Sequence, residues 1–309
     1  MSKYQTDPGS YEEVGFIGLG AMGGAIARNL AKGGVPLTVF DLNADLVADF
    51  VERGSRGADS LADFEGSKVV ILCLPGPNEF EAALFGEGGL GGSLAPGDLV
   101  IDMTTNHPRV VERAAKRLEE RGVEFVDAPV AGGKVGGEAG TLTIAIGGSA
   151  DSFERAKPIL AFTSSTIIHA GAVGSGNVCK LVHNMGIHIV RQTLAEIFTL
   201  GVKAGVSPAV LTEFVGKGAF GQLDQLHVGL PSRVLTGEFI DGEPSFRHVL
   251  ALKDIRLVND LADGLGVPLP LGRECLELAR TASDEGWNER DAWATFALQE
   301  QRAGVEVRS

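Results

Sequence analysis

Cysteine is scarce in this chain of 309 residues. The three present, Cys73, Cys179 and Cys275, lie far apart and form no C-x-x-C pair. That excludes a disulfide or zinc framework and leads us to expect buried thiols in a reducing compartment. Basic charge is also short, with 27 Lys and Arg against 40 Asp and Glu, a formal net charge of -13. Neither nucleic acid nor an anionic membrane is expected as a partner, because either requires a net basic face. Apolar runs such as 69–74 fall far short of the ~20 residues that cross a bilayer. The opening MSKYQTDPGSYEEV has no basic stretch followed by an apolar one. No signal peptide is therefore expected, and a cytoplasmic location is the default. Repeats, low-complexity tracts and an obvious flexible linker are missing as well.

What is there has the composition of a globular protein, 44% hydrophobic and 22% charged, in a chain long enough for two domains. Short apolar, β-branched runs at 14–17, 37–40, 69–72, 99–102, 124–127, 142–146 and 166–169 predict strands. Amphipathic stretches such as 22–32 and 108–121 predict helices between them. This alternation predicts a parallel sheet covered on both faces, and the unbroken apolarity of the strands fits burial on both sides. After Gly176 the pattern changes. Residues 177–204 have helical periodicity without proline, Ser207-Pro208 reads as an N-cap with Pro at N1, and 250–265, 273–283 and 290–302 predict further helices. The expected fold is α/β: a Rossmann-type doubly wound sheet over 1–174, joined by a long helix to an all-helical substrate or oligomerisation domain over 175–309.

One loop carries chemistry. Gly18, Gly20 and Gly23 stand as G-x-G-x-x-G between a predicted strand and a predicted helix, with Leu19, Ala21 and Met22 between them. Gly18 permits the tight turn, Gly20 lets backbone approach a pyrophosphate, and Gly23 lets the helix pack close to the strand. The helix N-terminus offers unpaired N–H groups and a positive dipole end to the anion. Asp41 ends the second predicted strand, close to the offset of about 20 residues expected of a ribose-binding acid. A carboxylate there accepts from the 2′-hydroxyl of NAD and repels the 2′-phosphate of NADP. No Arg follows in 42–45, so NAD is the expected cofactor.

Lys180 and Asn184, four apart on the long predicted helix, share one face. Together an ammonium and an amide can hold a hydroxyl or carbonyl oxygen and a neighbouring carboxylate. The apolar Leu181, Val182, Met185 and Ile187 lead us to expect this helix to be largely buried. Gly176, one turn earlier, is expected to leave space for a ligand. Thr104 and Thr105 follow a strand at the carboxyl edge, where ligands gather in such sheets. Asp102 reads as a strand-end turn residue.

These stretches, with 127–133, 140–142, 174–184 and Lys253-Asp254, resemble the β-hydroxyacid dehydrogenases, the family of 3-hydroxyisobutyrate dehydrogenase and tartronate semialdehyde reductase within the 6-phosphogluconate dehydrogenase superfamily. The resemblance runs over about 14–300. It implies an NAD-dependent dehydrogenase acting on the CH–OH group of a small 3-hydroxy acid, with Lys180 as general acid/base beside Asn184. It places Gly132 and Gly133, with Ala131, at the substrate carboxylate, and Thr105 near substrate or nicotinamide. It also gives Leu74 and Pro75 to the cofactor cleft, sets Lys253 towards the cofactor, and makes Asp254 a brace. By themselves, Lys253 and Asp254 read as a solvated helix start. Ala131 departs from the pattern, since the family usually has Ser before this Gly-Gly. The lost hydroxyl removes a hydrogen bond worth on the order of 1–3 kcal/mol if its acceptor stays unsatisfied. An imine reductase of the same superfamily is the alternative, and retention of Lys180 argues against it. A silent NAD-binding module is a second alternative. The resemblance further implies a homodimer or homotetramer built from the helical domain.

Other residues invite less. His183 and His188 are five apart with no carboxylate cluster, so no metal site is expected. His188 lies one turn beyond Asn184 and could approach the site or a subunit contact. Trp287 and Trp293 read as core or interface residues.

Overall fold

The computed structural model describes residues 12–309; the leader reading of the opening residues lies largely outside them. The first part is a sheet of β1 (Val14–Ile17), β2 (Leu37–Phe40), β3 (Arg56–Gly57), β4 (Val69–Leu72), β5 (Leu99–Asp102), β6 (Glu124–Asp127), β7 (Val130–Ala131), β8 (Leu142–Gly147) and β9 (Ser164–Gly171). Interleaved are α1 (Ala21–Lys32), α2 (Ala44–Glu52), α3 (Pro77–Phe85), α4 (Pro108–Glu119), α5 (Gly133–Ala139) and α6 (Ala150–Leu160). The order across the sheet is β3-β2-β1-β4-β5-β6-β8-β7, with β9 also on β8. Strands β1 to β6 pair in parallel, whereas β8 runs antiparallel to β6 and β7. The two-residue β3 and β7 carry no periodicity signal in the sequence; their pairing partners, not their own residues, make them strands. By contrast, β8 and β9 cover the runs at 142–146 and 166–169 that predict strands.

Strand alternation divides the core between the two faces. On one face Phe16, Ile71 and Ile101 pack with Ile26 and Leu30 of α1 and Ile159 of α6. On the other, Ile17, Val70, Leu72 and Val100 pack with Phe80 of α3 and Leu118 of α4. An apolar strand with helices on both sides buries both sets of side chains, which is why these strands read as continuous hydrophobic runs. The chain reverses its direction of travel across the sheet at β1, between β2 and β4. Sheets of this kind bind ligands beyond the carboxyl ends of such a pair of strands.

The chain divides into two compact units at Met185/Gly186. Helix α7 (Ser175–Lys203) runs across that point. The second unit continues with α8 (Pro208–Lys217), a π-helical segment (Gln225–Val234), α9 (Glu238–Asp241), α10 (His248–Leu265), α11 (Pro270–Asp284) and α12 (Ala294–Ala303). Ser207 caps α8, accepting from Val210 N at 3.4 Å, and Pro208 occupies its first turn. Small clusters hold the unit together: Leu252 with Leu276 and Ala279, Leu200 with Ala262 and Leu269, and Trp287 with Ala282, Ala294 and Leu298. Buried Glu196 of α7 accepts from Leu271 N and Gly272 N, both at 3.1 Å, and so caps α11 from a distance. No helix among the described residues is long and apolar enough to cross a membrane.

Two expectations are corrected here. Leu181, Val182, Met185 and Ile187 are exposed, because none of the described residues covers that side of α7; apolar composition does not say what an element packs against. Cys179 and Cys275 are exposed rather than buried, and Cys73 is half-buried.

Candidate active site

The turn after β1 builds the first part of the site. Gly18 has a φ of +95°, and a Cβ there would strike the carbonyl oxygen of Cys73, so no side chain fits. A Cβ on Gly23 would strike the carbonyl of Gly18, which is the close helix–strand approach the spacing predicts. At Gly20, by contrast, a Cβ would meet nothing within 4 Å. Gly20 is also the N-cap of α1 and brings no side chain to its free N–H groups. The space and the donors both suit an anion.

That opening belongs to a cavity of about 680 Å³. Gly18, Gly20, Ala21, Met22, Gly23, Asp41, Leu74 and Pro75, all predicted to touch the cofactor, line it together. Leu19 does not line it, but its N–H donates to Asp41 Oδ2 at 2.7 Å and ties the loop to the end of β2. Asp41 Oδ1 accepts from Asn43 N at 2.9 Å. Each carboxylate oxygen keeps a lone pair for a further donor. The sequence reading missed the apolar wall of Leu42, Leu46, Leu61 and Ala82, and a second carboxylate, Glu79. Leu42 is 94% exposed, and no pattern marks such a residue as a cavity wall. Cys73 lines the same cavity, yet its thiol is crowded enough that burial pushes it up to about 12, the Asp102 carboxylate adding to the effect.

Behind Leu74 lies a chain of buried polar groups. Leu74 N donates to Thr104 Oγ1 at 3.0 Å, and Thr104 N donates to Asp102 Oδ1 at 3.0 Å. Asn106 Nδ2 donates to Asp102 Oδ2 at 2.8 Å, and Asn106 N donates to Asn177 Oδ1 at 2.7 Å. Asp127 Oδ2 accepts from Asn177 N at 2.7 Å and Asn177 Nδ2 at 3.2 Å, and its Oδ1 accepts from Gly174 N at 2.7 Å. Asp127 thus caps the N-terminus of α7 from the end of β6. Burial pushes Asp102 up to about 7 against its hydrogen bonds from Thr104 and Asn106, and burial raises Asp127 as well. Asp102 is a strand-end residue, as expected, but it is also the middle of this chain. Asn106, Asn177 and the capping role of Asp127 were not foreseen, since their partners lie far away in sequence.

Gly176 does not leave space for a ligand. A Cβ there would lie 2.6 Å from the carbonyl oxygens of both Ala145 and Asp127, so the missing side chain admits the sheet rather than a substrate. One turn on, Lys180 and Asn184 are both half-buried within a run from Val178 to Val190 that is otherwise exposed. Burial lowers the Lys180 pKa, which makes the neutral amine more accessible near neutral pH. His183 and His188 are exposed.

Ala131 ends β7, half-buried and paired with Thr143; Gly132 and Gly133, at φ +129° and +62°, lead into α5. Gly137 of α5 accepts from Asn29 Nδ2 of α1 at 2.6 Å, which ties this turn to the helix that follows the glycine loop. Thr105 is half-buried. In the second unit Lys253 and Asp254 pair with each other at 2.8 Å, both more than half exposed. They sit in the second turn of α10 rather than at its start, because the helix begins at His248. No group of three or more His, Cys, Asp or Glu among the described residues is placed to hold a metal.

Two family models match the chain. One, described as the NAD binding domain of 6-phosphogluconate dehydrogenase, covers residues 13–171. The other, described as NAD-binding of NADP-dependent 3-hydroxyisobutyrate dehydrogenase, covers 174–298. A 3-hydroxyisobutyrate dehydrogenase of Pseudomonas aeruginosa is 41% identical over 84% of this chain and 88% of its own length. A 2-(hydroxymethyl)glutarate dehydrogenase of Eubacterium barkeri is 33% identical over 96% of this chain and 97% of its own. Among solved structures, a Mycobacterium tuberculosis 3-hydroxyisobutyrate dehydrogenase with L-serine superposes with a TM-score of 0.63 at 26% identity, over 93% of this chain and 99% of that one.

Proposed function

We propose, from the premise that this chain belongs to the 3-hydroxyisobutyrate dehydrogenase/6-phosphogluconate dehydrogenase superfamily of NAD(P)-dependent oxidoreductases, that it oxidises a small 3-hydroxy acid with NAD or reduces the matching semialdehyde. The observation that carries this reading is Lys180, half-buried on α7 with its pKa lowered by burial and Asn184 one turn away. The open, donor-lined space at Gly20 fits a dinucleotide pyrophosphate, with Asp41 available to the adenosine ribose. When bound, the nicotinamide supplies the hydride acceptor or donor. Lys180 takes the hydroxyl proton in oxidation and returns it to the carbonyl oxygen in reduction. Asn184 holds that oxygen, Thr105 lies beside it, and the backbone N–H groups at Gly132 and Gly133 hold the substrate carboxylate. Lys253 reaches the cofactor and Asp254 braces it.

The substrates named for the two relatives share a hydroxymethyl group on the carbon that bears a carboxylate, which supports the 3-hydroxy acid class. Ala131 favours a substrate whose carboxylate is satisfied without a hydroxyl at that position. The cofactor preference rests on Asp41 and stands against the NADP-dependent description of the second family model. Exposed Leu181, Val182, Val190 and Phe214 support self-association into a dimer or tetramer through the helical half.

A panel of small hydroxy acids, followed by NADH formation, tests the reading. Turnover is expected on a 3-hydroxy acid, and Lys180→Ala should lower kcat by on the order of 10²–10⁴-fold. Undiminished activity in that variant, or imine reduction with no turnover of any hydroxy acid, would overturn it. Replacing Asp41 by Ala should raise the KM for NAD about tenfold or more and narrow the preference over NADP, the scale of one charge-assisted hydrogen bond. A wild-type enzyme that uses NADP with the higher kcat/KM would refute the role of Asp41.

A further inference from the structure

We infer that Asn177 is a positioning residue for Lys180, the link through which the wall of the cofactor cavity fixes the first turn of α7. The inference rests on the reading of Lys180 given above and adds to it how that lysine is held. Three observations converge on it.

First, the hydrogen-bonded path is continuous. It runs from Leu74, in the cavity wall, through Thr104, Asp102 and Asn106 to Asn177, and on to Asp127. Second, the path is dry. Thr104, Asp102, Asn106, Asn177 and Asp127 are all 2% exposed or less, so no water competes for these bonds and a change at one member must be met by the next. Third, Asn177 uses its backbone N–H and both ends of its amide here, joining β5 and β6 to one helical turn. Gly176 lets that turn press against the sheet ends. Lys180 follows three residues later, on the same side of the helix. A rotation or slide of this turn would therefore move the lysine nitrogen by a comparable amount, and small misplacements of a reacting group can lower rate about 100-fold. Asn177 itself does not line the cavity and is separated from Leu74 by Thr104, Asp102 and Asn106, so its loss should affect turnover far more than cofactor affinity.

The test is a double-mutant cycle in the full chain. Asn177→Ala is measured in the wild-type and Lys180→Ala backgrounds, with steady-state kinetics on the hydroxy acid found by the panel and NADH affinity from fluorescence titration. In the wild-type background kcat should fall by about 10–100-fold, with KM and the NADH Kd moving less than about twofold. In the Lys180→Ala background the same substitution should change residual kcat less than about twofold, because the group it positions is already gone. An equal loss in both backgrounds would show a merely structural role and overturn the inference, as would an unchanged kcat in Asn177→Ala. Full activity in Lys180→Ala alone would instead overturn the reading of Lys180. Should Asn177→Ala fail to fold, Asn177→Ser, which keeps a short polar group, takes its place in the same cycle with the same criteria.

Discussion

In helix α7, the first turn and the turns that follow it differ in an unexpected way. The first turn is polar and small, yet Gly176 and Asn177 are buried against the ends of β6 and β8. The next turns carry Val178, Leu181, Val182 and Met185, and these apolar side chains are 40–59% exposed. Burial along this helix therefore follows hydrogen-bond supply and steric fit, not hydrophobicity. Asp127 accepts from Gly174 N, Asn177 N and Asn177 Nδ2, and Asn106 N donates to Asn177 Oδ1, whereas none of the described residues covers the apolar face. Lys180 and Asn184 stand on the boundary between the two regimes. That boundary is where a lysine can be desolvated enough to lower its pKa while it stays open to solvent.

The contrast can be broken or sharpened by experiment, and the largest effect concerns charge in the buried part. Asp102 is pushed from its ordinary value near 3.8 to about 7. In the folded protein it holds a proton between these values that the unfolded chain has already lost, so stability is full below about pH 4 and falls as pH rises through 7. The rise corresponds to on the order of 4 kcal/mol. Chemical denaturation from pH 4 to 8 should show a smaller decline in Asp102→Asn than in the wild type. Parallel profiles for the two proteins would mean that Asp102 is not as isolated from water as its burial implies.

Next in size is Gly176→Val. The added side chain meets backbone on two sides, and overpacking of this kind destabilises by about 1–3 kcal/mol. The loss should appear as a lower Tm. An unchanged Tm would show that the first turn can lift away from the sheet at little cost, and would weaken the contrast itself.

The smallest effect is expected a few turns on. Met185→Gln replaces an exposed side chain and should change the stability of a single chain by no more than about 0.5 kcal/mol. Unfolding measured across a range of protein concentrations checks this. A destabilisation that grows with concentration would reveal a second copy covering this face and so identify what the apolar turns are for.

Much of the first unit was legible because its signals are local. The predicted strands at 14–17, 37–40, 69–72, 99–102 and 124–127 coincide with β1, β2, β4, β5 and β6. A buried parallel strand is a short apolar run whichever neighbour it pairs with. The glycine loop and Asp41 were legible for a related reason: their spacing is set by one strand, one turn and one helix. Gly176 was misread because its missing side chain can serve a ligand or a neighbouring backbone equally well, and sequence does not distinguish them. Asn106 and Asn177 carried no signal at all. An asparagine becomes significant only when a partner 71 residues away arrives within hydrogen-bonding distance.

Taken alone, the sequence determined that this chain has a doubly wound dinucleotide-binding sheet followed by helices, which glycine loop joins the first strand to the first helix, and which lysine stands one helical turn from an asparagine. Those properties depend on periodicity and spacing over a few turns of chain. Only the tertiary structure decided that Asp127 caps α7, that Gly176 receives the sheet, that Asp102 lies dry at the centre of a buried chain, and that an apolar helix face lies open. Each of these depends on which distant groups share a space from which water is excluded, and that is settled by packing.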